Sequence, residues 1–411
     1  MKVLIADKFE ESGVEELRAA GCDVTHDPEL SGDSLTAAIK QTRCRLLIVR
    51  GTRVTEAALT ASDELGVVVR AGAGYNTIDL VAASRRSVLV ANCPGKNAVA
   101  VAELTFALIL GLDRLVVENV TDLREGCWNK KRYAKARGLK GRTLGVVGLG
   151  TIGCAVVQRA AAFEMNIVAW SRSLTAEKAE RLGLIACASP AEVASRCDIL
   201  TIHLAAAPET KGLIDADVLN RLKAGAYVIN TARADVMDYE ALAVAAGERD
   251  LRVGLDVYPD EPATGEARFR CAIAHSGPIV YGTHHIGAST DQAQEAIAAE
   301  TVRIVKAYMS TGRVENCVNL CQRSAARYVL VVRHRNRPGV LAYTLHAISH
   351  AGVNVEEMEN VICEGAESAS AQIKLDAPLD DALLREIRDG NEHIFAVSFA
   401  SIDDRSDADM P

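Results

Sequence analysis

Short aliphatic runs alternate with stretches of helical spacing through the first three-quarters of the chain. Lys2–Ala6, Leu46–Val49 and Val67–Arg70 are predicted strands; Glu10–Ala20 and Asp33–Lys40 are predicted helices. A longer helix is predicted from Asn97 to Glu118, with Val101, Leu104, Ala107 and Leu108 on its apolar face. The alternation restarts after Arg142. Strands are expected at Thr143–Val147, Asn166–Trp170, Ile199–His203, Tyr227–Asn230, Arg252–Asp256 and Ile279–Tyr281, with a helix at Ile152–Phe163. Strands that are apolar along their whole length have no face for water, so they belong in parallel sheets covered by helices on both sides. The helix Asp291–Ser310 would carry the chain back towards the first unit.

The pattern changes after Arg313. Val314–Ser324 is irregular and reads as a linker. Strands are then expected at Arg327–Val332, Val353–Asn360, Ser368–Leu375 and Phe395–Ala400, with helices at Val340–His350 and Asp380–Arg388. The order β-α-β-β-α-β is the ferredoxin-like arrangement. Asp403–Pro411 is a charged tail, expected to be disordered. The fold class is α/β: two Rossmann-like, doubly wound parallel-sheet domains, followed by a ferredoxin-like α+β domain.

Length agrees with this division, since 411 residues suggest two to three domains. A composition of 49% apolar and 24% charged residues is that of a globular chain. The net charge of −8 argues against a generally basic surface for nucleic acid or anionic lipid, so anionic ligands must be met by local Arg and Lys clusters. Met1–Asp7 reads as a strand, too short and too soon charged for a signal peptide. No apolar stretch is long enough to span a membrane. The eleven cysteines are scattered, and Cys317 and Cys321 have no partner at zinc spacing. They are expected to be reduced thiols in a cytoplasmic protein without a metal.

Gly148-Leu149-Gly150-Thr151-Ile152-Gly153 follows a predicted strand and opens a predicted helix. Gly148 permits a tight turn, Gly150 lets the backbone approach a pyrophosphate, and Gly153 lets the helix sit close to the strand. The helix end offers free N–H donors to phosphates. The shorter Gly72-Ala73-Gly74 lacks a third glycine and counts for little as a dinucleotide motif. At the end of the next strand, Ser171 and Arg172 stand where a ribose-reading carboxylate is usual, which admits NADP as well as NAD.

Three further segments end predicted strands. They carry Ile229 to Arg233, Leu255 to Pro262, and Thr283 to Thr290. Ligands of open parallel sheets bind at such ends. Oxidising a 2-hydroxy acid needs a base for the hydroxyl proton, for which His is suited, a carboxylate to orient it, and an Arg to grip the substrate carboxylate.

These motifs, from Arg50 to Asn319, resemble those of the D-isomer-specific 2-hydroxyacid dehydrogenase family. The resemblance implies Arg233, Glu261 and His285 as catalytic residues. It also decides between His284 and His285, which spacing alone leaves open. It implies cofactor contacts at Gly148, Gly150, Thr151, Ile152, Gly153, Ser171, Arg172, Leu204, Ala232, Arg233, Asp256, His285 and Gly287, with Asp256 near the nicotinamide amide. Asn92–Asn97 matches the family's hinge. The implied domains are 1–94 with 286–322 for substrate, 95–285 for dinucleotide, 327–402 as a third domain, and a tail at 403–411. The chain departs from the family in four places: Ala234-Asp235 replaces Gly-Gly and sets a carboxylate near Arg233, Leu204 replaces a Thr, Ser171 an Asp, and His284 a Pro.

Phosphoglycerate-specific members of the family have basic residues at the loop matched by Arg50 and Arg53, which makes these two the candidates for a substrate phosphate. Arg70 is a weaker candidate. Gly72 and Asn97 complete the expected substrate contacts. Residues 327–402 resemble an ACT domain, whose serine-contacting positions match His334, Asn336 and Asn354. The resemblance therefore implies NAD-dependent oxidation of D-3-phosphoglycerate, the first step of serine synthesis, by a homodimer or homotetramer with serine as effector. Two alternatives are an NADPH-dependent glyoxylate or hydroxypyruvate reductase and a non-catalytic sensor or corepressor on the same scaffold.

Overall fold

The computed structural model describes residues 1–262, 266–273, 279–321 and 324–402. The tail at 403–411 lies outside the described residues. The chain divides into two compact units, one through Asn319 and one from Leu320.

The first unit holds two parallel sheets. One contains β1 (Lys2–Ile5), β2 (Asp23–His26), β3 (Leu46–Val49), β4 (Val67–Arg70) and β5 (Leu89–Asn92), in the order β2-β1-β3-β4-β5. The other contains β6 (Thr143–Val147), β7 (Asn166–Trp170), β8 (Ile185–Ala186), β9 (Ile199–Ile202), β10 (Tyr227–Asn230), β11 (Arg252–Leu255) and β12 (Val280–Gly282). Its order is β12-β11-β10-β9-β6-β7-β8. Successive side chains of a strand point to opposite faces. Val3 and Ile5 enter one apolar cluster and Leu4 another; Leu46 and Ile48 oppose Leu47 and Val49 in the same way. Tyr227 and Ile229 likewise oppose Val228 in the second sheet. Both faces of each sheet are thus dry, as the apolar runs require.

The chain crosses between the sheets twice. After β5 it enters the helix Ala98–Arg114, whose Ala102, Phe106, Ile109 and Leu112 pack on the seven-stranded sheet. After β12 it returns through the helix Asp291–Thr311, whose Ile297, Val302, Ile304 and Val305 join the core of the five-stranded sheet.

Three details differ from the sequence expectation. The helix predicted over 97–118 breaks at Leu115, which adopts a left-handed φ of 52°, and a second helix, Val116–Arg124, follows. No Gly or Pro marks the break; the Asn119 side chain instead donates to the carbonyls of Arg114 (3.1 Å) and Leu115 (2.9 Å). Ala107 is exposed, and the buried stripe runs through Thr105 and Phe106 instead. The segment expected as a linker is tied down as far as Asn319, because Val318 N–H donates to Val90 and the Asn319 carboxamide pairs with the backbone of Val88 and Val90.

The second unit has β13 (Tyr328–Arg335), β14 (Val355–Ile362), β15 (Ser368–Leu375) and β16 (Ile394–Ser401) in one antiparallel sheet, ordered β14-β15-β13-β16. The helices Val340–His350 and Asp381–Asp389 cover one face, through Ile348 and Ile387. This is the expected ferredoxin-like arrangement.

Glu300 joins both ends of the five-stranded half. Its buried carboxylate accepts from Arg303 (2.7 and 3.0 Å) and Asn316 (2.8 Å) and pairs with Lys96 (3.2 Å) in the first crossover. The Arg303 hydrogen bonds, outweighing burial and helped by Lys96, hold its pKa down to about 2. A depressed carboxyl pKa contributes stability above the unfolded-state value that is lost as pH falls through the folded value. Glu300→Gln is therefore expected to lower stability near pH 7, with the gap to wild type closing between pH 5 and 2. Urea unfolding across that range checks this; a gap that does not change with pH contradicts it.

Candidate active site

The strand order of the seven-stranded sheet reverses between β6 and β9, opening a crevice at the carboxyl ends of the strands. Gly148 follows β6 with φ +101°, and a side chain there would strike the His203 carbonyl at 2.5 Å. A Cβ on Gly153 would overlap the Gly148 carbonyl, whereas Gly150 faces open space. Gly150 caps the helix Thr151–Ala162 without a side-chain acceptor, so the first N–H groups of that helix remain available to a phosphate. The cradle therefore fits a dinucleotide pyrophosphate. Leu204 packs beside the same turn. Ser171 and the exposed Arg172 follow β7, also at the carboxyl end.

The three segments at the ends of β10, β11 and β12 do converge. His285 Nδ1 and Glu261 Oε2 are 2.6 Å apart, and Glu261 Oε1 accepts from Tyr258 N–H at 2.8 Å. Burial raises the Glu261 carboxyl, but its bonds to His285 and Tyr258 outweigh this and leave its pKa below the ordinary value. His285 has a left-handed φ of 52°, uncommon for a residue other than Gly although His tolerates it better than most, and its surroundings hold it there. His284 is exposed and, among the described residues, makes no hydrogen bond.

Asp256 supplies the enforcement. It is 1% exposed. Oδ1 accepts from Ile286 N–H (2.8 Å) and Thr283 Oγ1 (2.6 Å), and Oδ2 accepts from Gly287 N–H (2.8 Å). Gly287 is required there, because a Cβ would stand 2.9 Å from Oδ2. Sequence reading assigned Asp256 to the nicotinamide amide; in the structure its carboxylate is already engaged by the loop that bears His285.

Arg233 lies on the loop after β10, shaped by the buried Asn230, which accepts from Ala232 N–H (3.0 Å) and donates to the Arg233 carbonyl (3.0 Å). Burial lowers the Arg233 pKa, opposed by attraction to Glu261. Burial also lowers the Arg70 pKa to about 10, reinforced by repulsion from Arg233 and Arg50. None of Arg50, Arg70 and Arg233 forms a salt bridge among the described residues, and Arg70 Nε is buried without a partner. The Gly72-Ala73-Gly74 turn, discounted as a dinucleotide motif, is the platform for two of them. A side chain on Gly72 would overlap the Arg70 guanidinium, and one on Gly74 that of Arg233. Asp7 holds the Arg50 loop by accepting from the amides of residues 50, 51 and 52 at 2.6, 3.2 and 3.1 Å. Arg53 is exposed on that loop. Asn97 precedes the first crossover helix with its Oδ1 buried and unpartnered. Asp235, the extra carboxylate expected beside Arg233, is exposed and forms no ion pair with it among the described residues.

Sequence reading missed Asp7, Gly74 and the weight of Arg70. An Asp just past the first strand of a parallel sheet was the available signal for Asp7; the seat of Arg233 on Gly74 arises from packing between distant segments.

In the second unit His334 is buried, with Nδ1 on the Arg335 carbonyl (2.8 Å) and Nε2 on Asn360 Oδ1 (3.2 Å). Asn336 donates to the Ala366 carbonyl at 3.0 Å, and Asn354 to Glu356 at 2.7 Å. Asn336 follows the end of β13 and Asn354 precedes β14, so the strand register sets them at opposite ends of the sheet. One copy of the unit does not gather the three. Among the described residues there is no cluster of three or more metal-ligating side chains, no disulfide, and no helix long and apolar enough to cross a membrane.

Asp256→Asn replaces an acceptor by a donor opposite three donors. An unsatisfied buried N–H is expected to destabilise by about 1–3 kcal/mol and to speed amide exchange at Gly287. Urea unfolding and exchange measured by NMR check this; unchanged stability and protection contradict it.

The family profile of the D-isomer specific 2-hydroxyacid dehydrogenase NAD binding domain matches residues 106–287. The chain is 34% identical over 322 residues to D-3-phosphoglycerate dehydrogenase of Methanocaldococcus jannaschii, covering 78% of this chain and 60% of that one. It thus spans about 60% of the length of the curated relatives it matches. A protein of Thermus thermophilus superposes with a TM-score of 0.68 at 30% identity, over 77% of this chain and 100% of that one. NAD+-bound 3-phosphoglycerate dehydrogenase of Entamoeba histolytica superposes with a TM-score of 0.65 at 26% identity, over 78% and 99%. Residues 106–287, which contain the glycine cradle and His285, are the family's NAD-binding domain, and the chain belongs to the D-isomer-specific 2-hydroxyacid dehydrogenases.

Proposed function

We propose that this chain oxidises D-3-phosphoglycerate to 3-phosphohydroxypyruvate with NAD, the entry step of serine synthesis. The observation that carries the reading is the group of unpaired arginines, Arg50, Arg70 and Arg233, beside the His285–Glu261 pair. One guanidinium suffices for the carboxylate of a small 2-hydroxy acid. Two more without counter-ions suit a second, doubly charged group such as a phosphate. The Methanocaldococcus and Entamoeba proteins support the same choice.

Gly148–Gly153 would hold the nicotinamide dinucleotide, which would supply the hydride acceptor when bound. His285 commits Nδ1 to Glu261, which leaves Nε2 for the C2 hydroxyl proton. Glu261 remains a carboxylate and stabilises the imidazolium that forms. Arg233 grips the substrate carboxylate and polarises the developing carbonyl, while Arg70 and Arg50 hold the phosphate. Ser171 and Arg172 extend the cofactor range to NADP. The complete Arg233, Glu261 and His285 set argues against an idle sensor.

The proposed lobes are 1–94 with 286–322 for substrate and 95–285 for dinucleotide; 327–402 is proposed as an ACT regulatory domain. The opposed placement of Asn336 and Asn354 supports serine bound between two copies rather than within one. A homo-oligomer is also supported by the helix Val116–Arg124, which buries none of its residues and exposes Val116, Val117, Val120 and Leu123, next to Trp128 at 82% exposure. The odd number and scattered spacing of the cysteines support a location in the cytoplasm.

Turnover of D-3-phosphoglycerate with NAD is expected to exceed reduction of glyoxylate or hydroxypyruvate with NADPH, and millimolar serine is expected to slow it. Arg70→Met is expected to raise KM for phosphoglycerate at least tenfold, with KM for NAD within twofold. Activity confined to glyoxylate and hydroxypyruvate would overturn the substrate. No response to serine in rate or melting temperature would overturn the regulatory part.

A further inference from the structure

Tyr239 opens the helix Tyr239–Glu248, whose Asp238 cap accepts from Ala241 N–H. Its ring packs against the core of the seven-stranded sheet. Its hydroxyl lies between two loops of the candidate site. It donates to the Val257 carbonyl at 2.6 Å and accepts a longer bond, 3.4 Å, from Asn230 Nδ2. Burial holds the phenol above its ordinary pKa, against the opposing Asn230 bond, so its proton remains available to donate.

The peptide group that accepts this bond has a second partner. The Val257 carbonyl and the Tyr258 amide belong to one planar unit. Tyr239 holds its oxygen side; its N–H side donates to Glu261 Oε1 at 2.8 Å, and the other Glu261 oxygen meets His285 at 2.6 Å. On the other side of Tyr239, Asn230 fixes the Arg233 loop through the Arg233 carbonyl and the Ala232 amide.

We propose that the Tyr239 hydroxyl is a positioning group for the dehydrogenase reaction, linking the Arg233 loop to the peptide that aims Glu261 at His285. The inference rests on the dehydrogenase reading above. Among the described residues the Tyr239 hydroxyl bonds only to Val257 and Asn230, so its links run to Glu261 through the Val257–Tyr258 peptide and to the Arg233 backbone through Asn230. Hydrogen bonds in such a chain polarise one another, and freeing the peptide oxygen loosens the N–H on its far side. The consequence falls on proton transfer rather than on substrate affinity.

Tyr239→Phe removes the hydroxyl and keeps the ring, so the helix and the core beneath it are retained. Two readouts apply, one of them independent of turnover. Amide exchange at Tyr258 is expected to quicken about tenfold in the variant. The kcat is expected to fall about tenfold, with KM for NAD and phosphoglycerate within twofold, and the freed Val257 carbonyl is expected to lower the melting temperature by only a few degrees. In a Glu261→Gln background the same change is expected to have little further effect on kcat, because both act through one pair. Equal Tyr258 exchange in variant and wild type overturns the proposal, as does a loss of kcat that multiplies independently with Glu261→Gln. If the wild-type chain turns over no hydroxy acid, the dehydrogenase reading falls, and the exchange comparison still decides the link.

Discussion

The second crossover between the two sheets of the first unit is anchored on a single buried carboxylate. Asp256 follows β11, and its two oxygens take the hydroxyl of Thr283 and the amides of Ile286 and Gly287. Those bonds hold His285 in a backbone conformation that its side chain disfavours. They also fix the start of the chain's return to the five-stranded sheet. The geometry of His285 against Glu261 depends on this anchor, and so does the path to the helix Asp291–Thr311. Burying a carboxyl group is tolerable because each oxygen is matched by donors.

The same unit gathers positive charge without neutralising it. Arg70 and Arg233 are largely buried, repel one another, and have no carboxylate partner in an ion pair among the described residues. The fold offsets this repulsion with rigid supports: the glycines at 72 and 74, Asn230 behind Arg233, and Asp7 behind Arg50. A chain of net charge −8 thereby presents a local positive cleft. Carboxylates meanwhile do separate work. Glu261 faces His285, Asp256 faces backbone amides, and Glu300 faces Lys96 and Arg303 at the first crossover. At the arginine group buried positive charge is left without an ion pair among the described residues, where an anionic ligand can complete it.

Much of this was legible from residue order. Strands such as Leu46–Val49 must be apolar throughout because both of their faces are dry, and such runs stand out in a sequence. The glycine turn was readable because each glycine answers a distinct steric demand. The edge strand Asp23–His26 was not, since it is only half-buried and its residues are mostly polar. The break at Leu115 was hidden because its stabilising group, the Asn119 side chain, lies four residues on. The roles of Arg70, Gly74, Asp7 and Tyr239 depend on contacts between segments far apart in sequence, for which local pattern has no signal. Asp256 was visible as a residue of interest, but its partners were not.

The central claim is that hydride leaves C2 of a phosphorylated hydroxy acid while His285 takes the hydroxyl proton. It is tested most directly with D-3-phosphoglycerate deuterated at C2 and the full chain with NAD. The expected result is one deuterium in each reduced dinucleotide, with turnover lost in His285→Gln while NAD binding persists. Reduced dinucleotide formed without deuterium, or full turnover in His285→Gln, would contradict the account.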